Sequence, residues 1–414
     1  MRAVVIGAGP IGCGFAGRLL HRSGYALTMV GRAPVVTQLA RARRYAVRLT
    51  DGHTQREESV EGLSVLDVAQ TAEIEAAIGA ADLVCTAVGP RNLDAVAPLL
   101  ARGLGQASQP VTVIAFENAE DAGPRLRRLV GRQLGTQRAD RHGFTGAVIG
   151  AVFAHRLMAQ HPGDDLLLIG EPHTEFAVDA HALRDPLPPV EGMVAVDDFT
   201  AFYLRKLYRY SAGHATAAYL GRLKGYRYLH AAVRDSEIRH AVHAAMAEGR
   251  AGLAAAYCDR IAGDEAELDA ILQRFGNAAL GDTVARVGRD VARKLGHRER
   301  LVGAARLAER AGVAPTRLAE ATAAALCFGD LDGAAGGEAS PVRRVRRPRD
   351  SDDVADSLRN LAGLQPGCPL ARCIEAAWLR LGAGWEDGNL LLALDRPLWA
   401  WAGAGDQRAL ARAS

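Results

Sequence analysis

An amine, a hydroxyl and an imidazole come close together in the stretch Lys206 to Leu220, which reads Lys-Leu-Tyr-Arg-Tyr-Ser-Ala-Gly-His-Ala-Thr-Ala-Ala-Tyr-Leu. Helical periodicity running from about Phe199 puts Lys206, Ser211 and His214 within an arc of about 140° on one side of the helix. On a surface helix such groups are simply solvated. Here Leu207, Tyr208, Tyr210, Ala212, Ala215, Ala217, Ala218, Tyr219 and Leu220 leave little room for an exposed polar face. A lysine held among apolar neighbours gives up its proton more easily, which suits it to act as a general base near neutral pH. Proton transfer is the chemistry this face predicts.

The elements that would position it begin at the N-terminus. The apolar run Ala3-Val4-Val5-Ile6 ends in Gly7-Ala8-Gly9-Pro10-Ile11-Gly12, followed by the helical Ala16 to Leu20. A glycine-rich turn between a buried strand and a helix lets backbone N–H groups and the helix N-terminus meet a pyrophosphate. Gly7, Gly9, Pro10, Ile11 and Gly12 are therefore candidate cofactor-binding residues of a dinucleotide fold. A second strand, Leu27 to Val30, ends in Gly31-Arg32, where an NAD-binding domain normally carries a carboxylate for the ribose 2′-hydroxyl. Glycine there leaves room and arginine supplies charge-assisted donors for a 2′-phosphate, so NADP is favoured over NAD. Two further strands, in Asp82 to Pro90 and Val111 to Phe116, deliver the Val88-Gly89-Pro90 loop and Asn118 to the strand ends where ligands gather in a doubly wound sheet. The fold class that follows is α/β, with an N-terminal Rossmann sheet and a mainly α-helical C-terminal domain.

The boundary is expected in the proline-rich Asp185 to Pro189, giving domains 1–190 and 191–414. Long helices are expected at Ile238 to Tyr257, Glu265 to Phe275, Leu301 to Ala311, Pro315 to Cys327 and Leu370 to Leu381, with a last one from Asn389 to Ala402. Residues 329–353, with Arg343-Arg344-Val345-Arg346-Arg347-Pro348-Arg349, read as a mobile, solvated insertion. The chain has 414 residues, 49% hydrophobic and 23% charged, with a net charge of +3, which is ordinary globular composition with too little charge to argue for nucleic acid or a membrane surface. Small-molecule ligands are the default. Six cysteines lie scattered without a Cys-x-x-Cys pair and the chain opens on Met-Arg-Ala-Val-Val-Ile, so a reduced cytoplasmic setting is expected. Twelve histidines form no His-Glu-x-x-His or Cys/His cluster, and no metal is expected.

Taken in order, the stretches Gly7 to Phe15, Asp82 to Pro90, Glu117-Asn118, Arg205 to Gly221 and Arg286 to Leu295 resemble the polyol-specific long-chain dehydrogenases, over about the first 330 residues. The resemblance implies a metal-independent reaction in which Lys206 is the general base for alcohol oxidation and, protonated, the acid for ketone reduction. It implies that His214 orients the reacting oxygen and that Asn118 donates to the developing alkoxide. The family carries Asn where this chain has Ser211, an Asp-Arg pair where it has His155-Arg156, and an acid where it has Gly31. A basic segment matches Arg286, Arg289, Arg293 and Lys294, of which Arg289 and Lys294 are chosen for the anionic end of a substrate. The expected substrate is a polyol phosphate or ketose phosphate of the mannitol 1-phosphate and fructose 6-phosphate type. The alternatives are an unphosphorylated polyol, a sugar acid or a cyclitol, or a catalytically silent NADP(H)-binding regulator. The protein is expected to be a monomer or homodimer.

Overall fold

The computed structural model describes residues 1–157, 166–185, 189–328 and 348–386. Its packing separates two compact units: Met1–Lys206 with Asn277–Gly281, and Leu207–Gly276 with the chain from Asp282 onward. The helix Phe199–Arg205 thus packs with the first unit, so the packing division comes later in the chain than the composition shift near residue 190. Of that expected boundary, Pro186, Leu187 and Pro188 lie outside the described residues.

Twelve strands are described in the first unit: β1 Arg2–Ile6, β2 Ala26–Gly31, β3 Arg44–Thr50, β4 Gln55–Glu61, β5 Ser64–Asp67, β6 Leu83–Thr86, β7 Thr112–Ala115, β8 Gly143–Ile149, β9 Phe153–Leu157, β10 Leu167–Gly170, β11 Phe176–Asp179 and β12 Met193–Val196. The main sheet has the order β12-β11-β8-β7-β6-β1-β2-β5. Strands β5, β2, β1, β6, β7 and β8 run parallel, which is the strand order of a dinucleotide-binding domain. Such a sheet is covered on both faces. Along β1, Ala3 and Val5 enter one buried cluster with Phe15, Leu19 and Met29, while Val4 and Ile6 enter another with Ile74, Leu93 and Leu100. A second sheet, β4-β3-β10-β9, was not expected from the sequence.

The second unit is helical. Ser236–Ala256, Glu265–Phe275, Val302–Arg310, Thr316–Phe328 and Pro369–Glu386 are its main helices, close to the expected spans. In the expected insertion, residues 329–347 lie outside the described set, but 348–353 do not conform to it: Asp350 caps a helix Ser351–Ser357 by accepting from the Asp353 N–H. The expected helix from Asn389 to Ala402 lies outside the described residues.

Candidate active site

The cofactor turn is built from glycines with different reasons to be glycine. Gly7 has φ +117°, and a Cβ there would lie 2.5 Å from the Ala87 carbonyl oxygen, while a Cβ on Gly12 would lie 1.7 Å from the Gly7 carbonyl oxygen. These two are fixed by the fold. Gly9 is not, since a Cβ there would meet no protein atom within 4 Å. A glycine the protein does not need is what close approach by a ligand backbone requires, so the turn fits a dinucleotide. Pro10 and Ile11 open the helix, where proline is preorganised and its missing N–H costs nothing. The helix then widens into a π-helical turn over Gly12–Gly17 before Arg18–Arg22. Side chains add to the turn's own bonds: the buried Tyr45 hydroxyl donates to Cys13 O at 2.8 Å, which also accepts from the Arg18 backbone N–H, and the buried Arg18 Nε donates to Gly14 O at 3.2 Å.

Gly31 has a different basis from the one expected. A Cβ there would come within 2.8 Å of Ala8 Cβ and 2.9 Å of Val36 Cγ2. Packing, not room for a 2′-phosphate, excludes a side chain. Arg32 beside it is exposed.

At the ends of β6 and β7, the buried Glu117 accepts from Thr86 Oγ1 at 2.7 Å and from the Val88 N–H at 2.8 Å. Burial pushes its carboxyl up, and these hydrogen bonds oppose the shift. Glu117 thereby ties the Val88-Gly89 loop, in which Gly89 has φ +89°, to the strand that delivers Asn118. Sequence reasoning gave Glu117 no role. Its neighbour Asn118 accepts from Lys206 Nζ through Oδ1 at 2.6 Å. With Oδ1 engaged by the amine, the Asn118 amide offers its NH₂ to a further acceptor. Lys206 follows directly on the helix Phe199–Arg205, whose start is fixed by Asp198 accepting from the Ala201 N–H. It begins a second π-helical turn, Lys206–Ser211, which continues as the α-helix Ala212–Leu223. The regular helical arc expected for Lys206, Ser211 and His214 is therefore interrupted. π-turns of this kind concentrate at functional sites.

In the second unit, Ser211 is buried and His214 is nearly so. The His214 ring stacks on Phe275 with centroids 5.0 Å apart, and its Nε2 lies 3.3 Å from Asp282 Oδ2. Asp282 is also held in a two-point pair by Arg286, Nε and Nη2 each at 2.6 Å. Burial pulls His214 below the usual histidine range, only partly offset by Asp282. Burial alone would raise Asp282, but His214 and Arg286 hold it well below the usual carboxylate range. Asp282 is the second residue the sequence reading passed over; its one trace there is the i,i+4 spacing to Arg286.

The expected basic cluster at helical spacing is corrected by this geometry. The segment breaks into Val284–Gly288 and Val291–Lys294, with Asp290 in the left-handed region at φ 64° between them. Arg286 is paired with Asp282, and Arg293 with Asp290 and Glu299. Lys294 is buried, donates from Nζ to the Val287 carbonyl and lies 5.9 Å over the Tyr219 ring. Burial, with Arg300 and Arg293 nearby, pushes its ammonium well below the usual lysine range. It is thus no ready solvent-facing anion contact, whereas Arg289 is exposed. The side chains of His155 and Arg156, on β9, lie outside the described residues. Among the described residues no group of three His, Cys, Asp or Glu side chains could hold a metal ion, and no helix is long and apolar enough to cross a membrane.

Two family models match the chain, the mannitol dehydrogenase Rossmann domain over residues 1–192 and the mannitol dehydrogenase C-terminal domain over 198–360. The chain is 37% identical over 384 residues to a mannitol-1-phosphate 5-dehydrogenase of Arthrobacter sp. (strain FB24), covering 91% of this chain and 97% of the relative. It is 34% identical over 391 residues to one of Brevibacillus brevis, covering 92% and 98%. Among solved structures, Pseudomonas fluorescens mannitol 2-dehydrogenase in a ternary complex with NAD and D-mannitol matches with a TM-score of 0.74 at 16% identity, covering 98% of this chain and 95% of that one. A D-sorbitol dehydrogenase in substrate-free form matches with a TM-score of 0.71 at 16% identity, covering 95% and 94%. At these identities the two structures are similar in fold.

Proposed function

The chain belongs to the mannitol dehydrogenase family, and from that premise we propose that it is a metal-independent NAD(P)-dependent secondary-alcohol dehydrogenase of polyols with Lys206 as general acid and base. The observation that carries this reading is the 2.6 Å hydrogen bond from Lys206 Nζ to Asn118 Oδ1. It holds the amine at the strand ends where a doubly wound sheet keeps its ligands, and by engaging Oδ1 it leaves the Asn118 NH₂ to serve as an oxyanion donor. In oxidation the alcohol O–H proton passes to the neutral Lys206 amine, the carbinol C–H leaves as hydride, and the C–O bond becomes C=O. A nicotinamide dinucleotide in the glycine turn supplies the redox chemistry when bound. In reduction the Lys206 ammonium returns the proton, while the Asn118 amide holds the reacting oxygen.

The Arthrobacter and Brevibacillus relatives are named for mannitol 1-phosphate, which supports a polyol phosphate and, in reverse, fructose 6-phosphate. NADP is favoured over NAD on the exposed Arg32 alone, because Gly31 is explained by packing. A second reading keeps the chemistry and changes the substrate to an unphosphorylated polyol, sugar acid or cyclitol. It is favoured by the internal pairing of Arg286 and Arg293 and the burial of Lys294. The deciding experiment follows NADPH and NADH oxidation by the purified protein with fructose 6-phosphate and with fructose, beside Lys206→Ala. Lys206-dependent turnover of the phosphate supports the first reading. Turnover of fructose alone sends it to the second, and no turnover of any ketose or polyol with cofactor bound would overturn both.

A further inference from the structure

Glu117 is 3% exposed, yet among the described residues no cation pairs with it. What opposes its burial is the Thr86 hydroxyl and the N–H groups of Val88, Gly89 and Glu117 itself. A titratable neighbour, the buried Cys85 thiol, is pushed up by burial and then by Glu117, so it offers no positive charge either. A buried carboxylate with donors but no counter-ion is unfavourable. A glutamine would meet the same partners without that penalty: its carbonyl oxygen accepts from the Val88 N–H, and its NH₂ donates to the Thr86 hydroxyl oxygen, which accepts as readily as it donates. Holding the loop therefore does not account for a group that ionises.

Its place in the sheet indicates which positive charge it awaits. A doubly wound sheet binds the two halves of a dinucleotide over its own two halves, with the adenosine ribose at the end of β2. The nicotinamide half then falls to β6 and β7, whose ends carry Val88-Gly89 and Glu117. The next residue, Asn118, holds the Lys206 amine at 2.6 Å. Hydride leaves the carbon whose hydroxyl proton that amine takes, so the ring that accepts it is drawn to the same strand ends. That ring is cationic when oxidised and neutral when reduced. We propose that the Glu117 carboxylate is the fixed counter-charge of the oxidised nicotinamide, so that the chain holds the oxidised dinucleotide more tightly, relative to the reduced one, than an uncharged residue there would allow. This rests on the dehydrogenase reading of Lys206 and Asn118. In a water-poor site a charge acts across several ångströms, so Glu117 works on the ring through its field and not by contact. The cofactor phosphates are common to both forms and cancel in the comparison.

The test is equilibrium binding without substrate. Dissociation constants of NADPH and NADH are read from their fluorescence, and those of NADP⁺ and NAD⁺ from competition, in wild type and Glu117→Gln. Removing the charge should weaken the oxidised form by about tenfold and leave the reduced form within about twofold. The cofactor-free Glu117→Gln protein should melt no lower than wild type, because a buried charge is removed while its hydrogen bonds are kept. Thr86→Val takes one donor from the carboxylate and leaves the loop bond in place, so it should move the ratio the same way by a smaller factor, a readout that stands if the glutamine variant fails to fold. Equal weakening of both forms in Glu117→Gln would mean that the residue only holds the loop, and no change in either would mean that its charge does not reach the ring. Both results overturn the inference and leave the dehydrogenase reading intact. So would a shift that disappears in a Lys206→Ala background, since the counter-ion would then be the lysine. A wild type that binds no dinucleotide would instead remove that reading and the inference with it.

Discussion

The two π-helical turns, Gly12–Gly17 and Lys206–Ser211, use the same irregularity for opposite ends. In the first, all six residues are buried and two of its carbonyls take additional side-chain donors, from Tyr45 on β3 and from Arg18 one turn further along the same helix. Nothing in it reaches outward; it fixes the backbone that follows the cofactor turn. In the second, the turn begins with an amine bonded to Asn118 and ends at a buried serine. Its Tyr208 carbonyl rests on a glycine of the helix Ser236–Ala256, where a Cβ on Gly249 would lie 2.1 Å from Tyr208 O. A widened turn costs hydrogen bonds wherever it occurs, so it persists where other groups replace them. One turn uses the replacements to hold a main chain, the other leaves side chains to do chemistry.

If that contrast is right, the largest loss comes from Lys206. Lys206→Ala should lower kcat by about 10²–10⁴-fold, the range for removing a general acid or base, with the melting temperature close to wild type and cofactor binding by fluorescence retained. Loss of folding instead would make the second turn as structural as the first. Next is Gly249→Ala, whose methyl must displace the Tyr208 carbonyl. Overpacking of this kind costs about 1–3 kcal/mol, and denaturant unfolding should register it. Since the carbonyl belongs to the lysine-bearing turn, kcat should fall as well, and a stability loss with unchanged kcat would break the link between the turn and the amine. Gly9→Ala should do the reverse, leaving stability unchanged because the methyl meets no protein atom, and weakening dinucleotide binding by about tenfold, which is about 1.4 kcal/mol.

What the sequence made legible divides along the same line. The cofactor turn could be read because its requirement falls on glycine itself, at fixed spacing between a strand and a helix. Lys206 and His214 could be read because polar groups stand out in an apolar helix. The π-turn between them could not, since no residue type marks it and its support comes from Gly249 and other distant contacts. Glu117 and Asp282 were missed because their partners, Thr86 and His214, are far away in sequence. The basic segment misled because its spacing is helical while Asp290 at φ 64° breaks the helix. The second sheet escaped because β4 is an edge strand that exposes most of its residues, which removes the alternation that marks a half-buried strand.

The smallest effect belongs to the first turn and tests whether it is only structural. Tyr45 is fully buried, and its hydroxyl donates to Cys13 O. Tyr45→Phe keeps the ring in place and removes one of two donors to the Cys13 carbonyl, which still accepts from the Arg18 backbone N–H, so the loss is that of a single hydrogen bond, about 0.5–1.5 kcal/mol. Arg18 still donates to the neighbouring Gly14 carbonyl, so the π-turn should survive and the loss should lie toward the lower part of that range. The expected outcome is a melting temperature a few degrees lower, with kcat unchanged and the Michaelis constant for the dinucleotide within about twofold. A kcat that fell with the hydroxyl would mean the first turn feeds the chemistry as the second does, and the division of labour between the two would have to be abandoned.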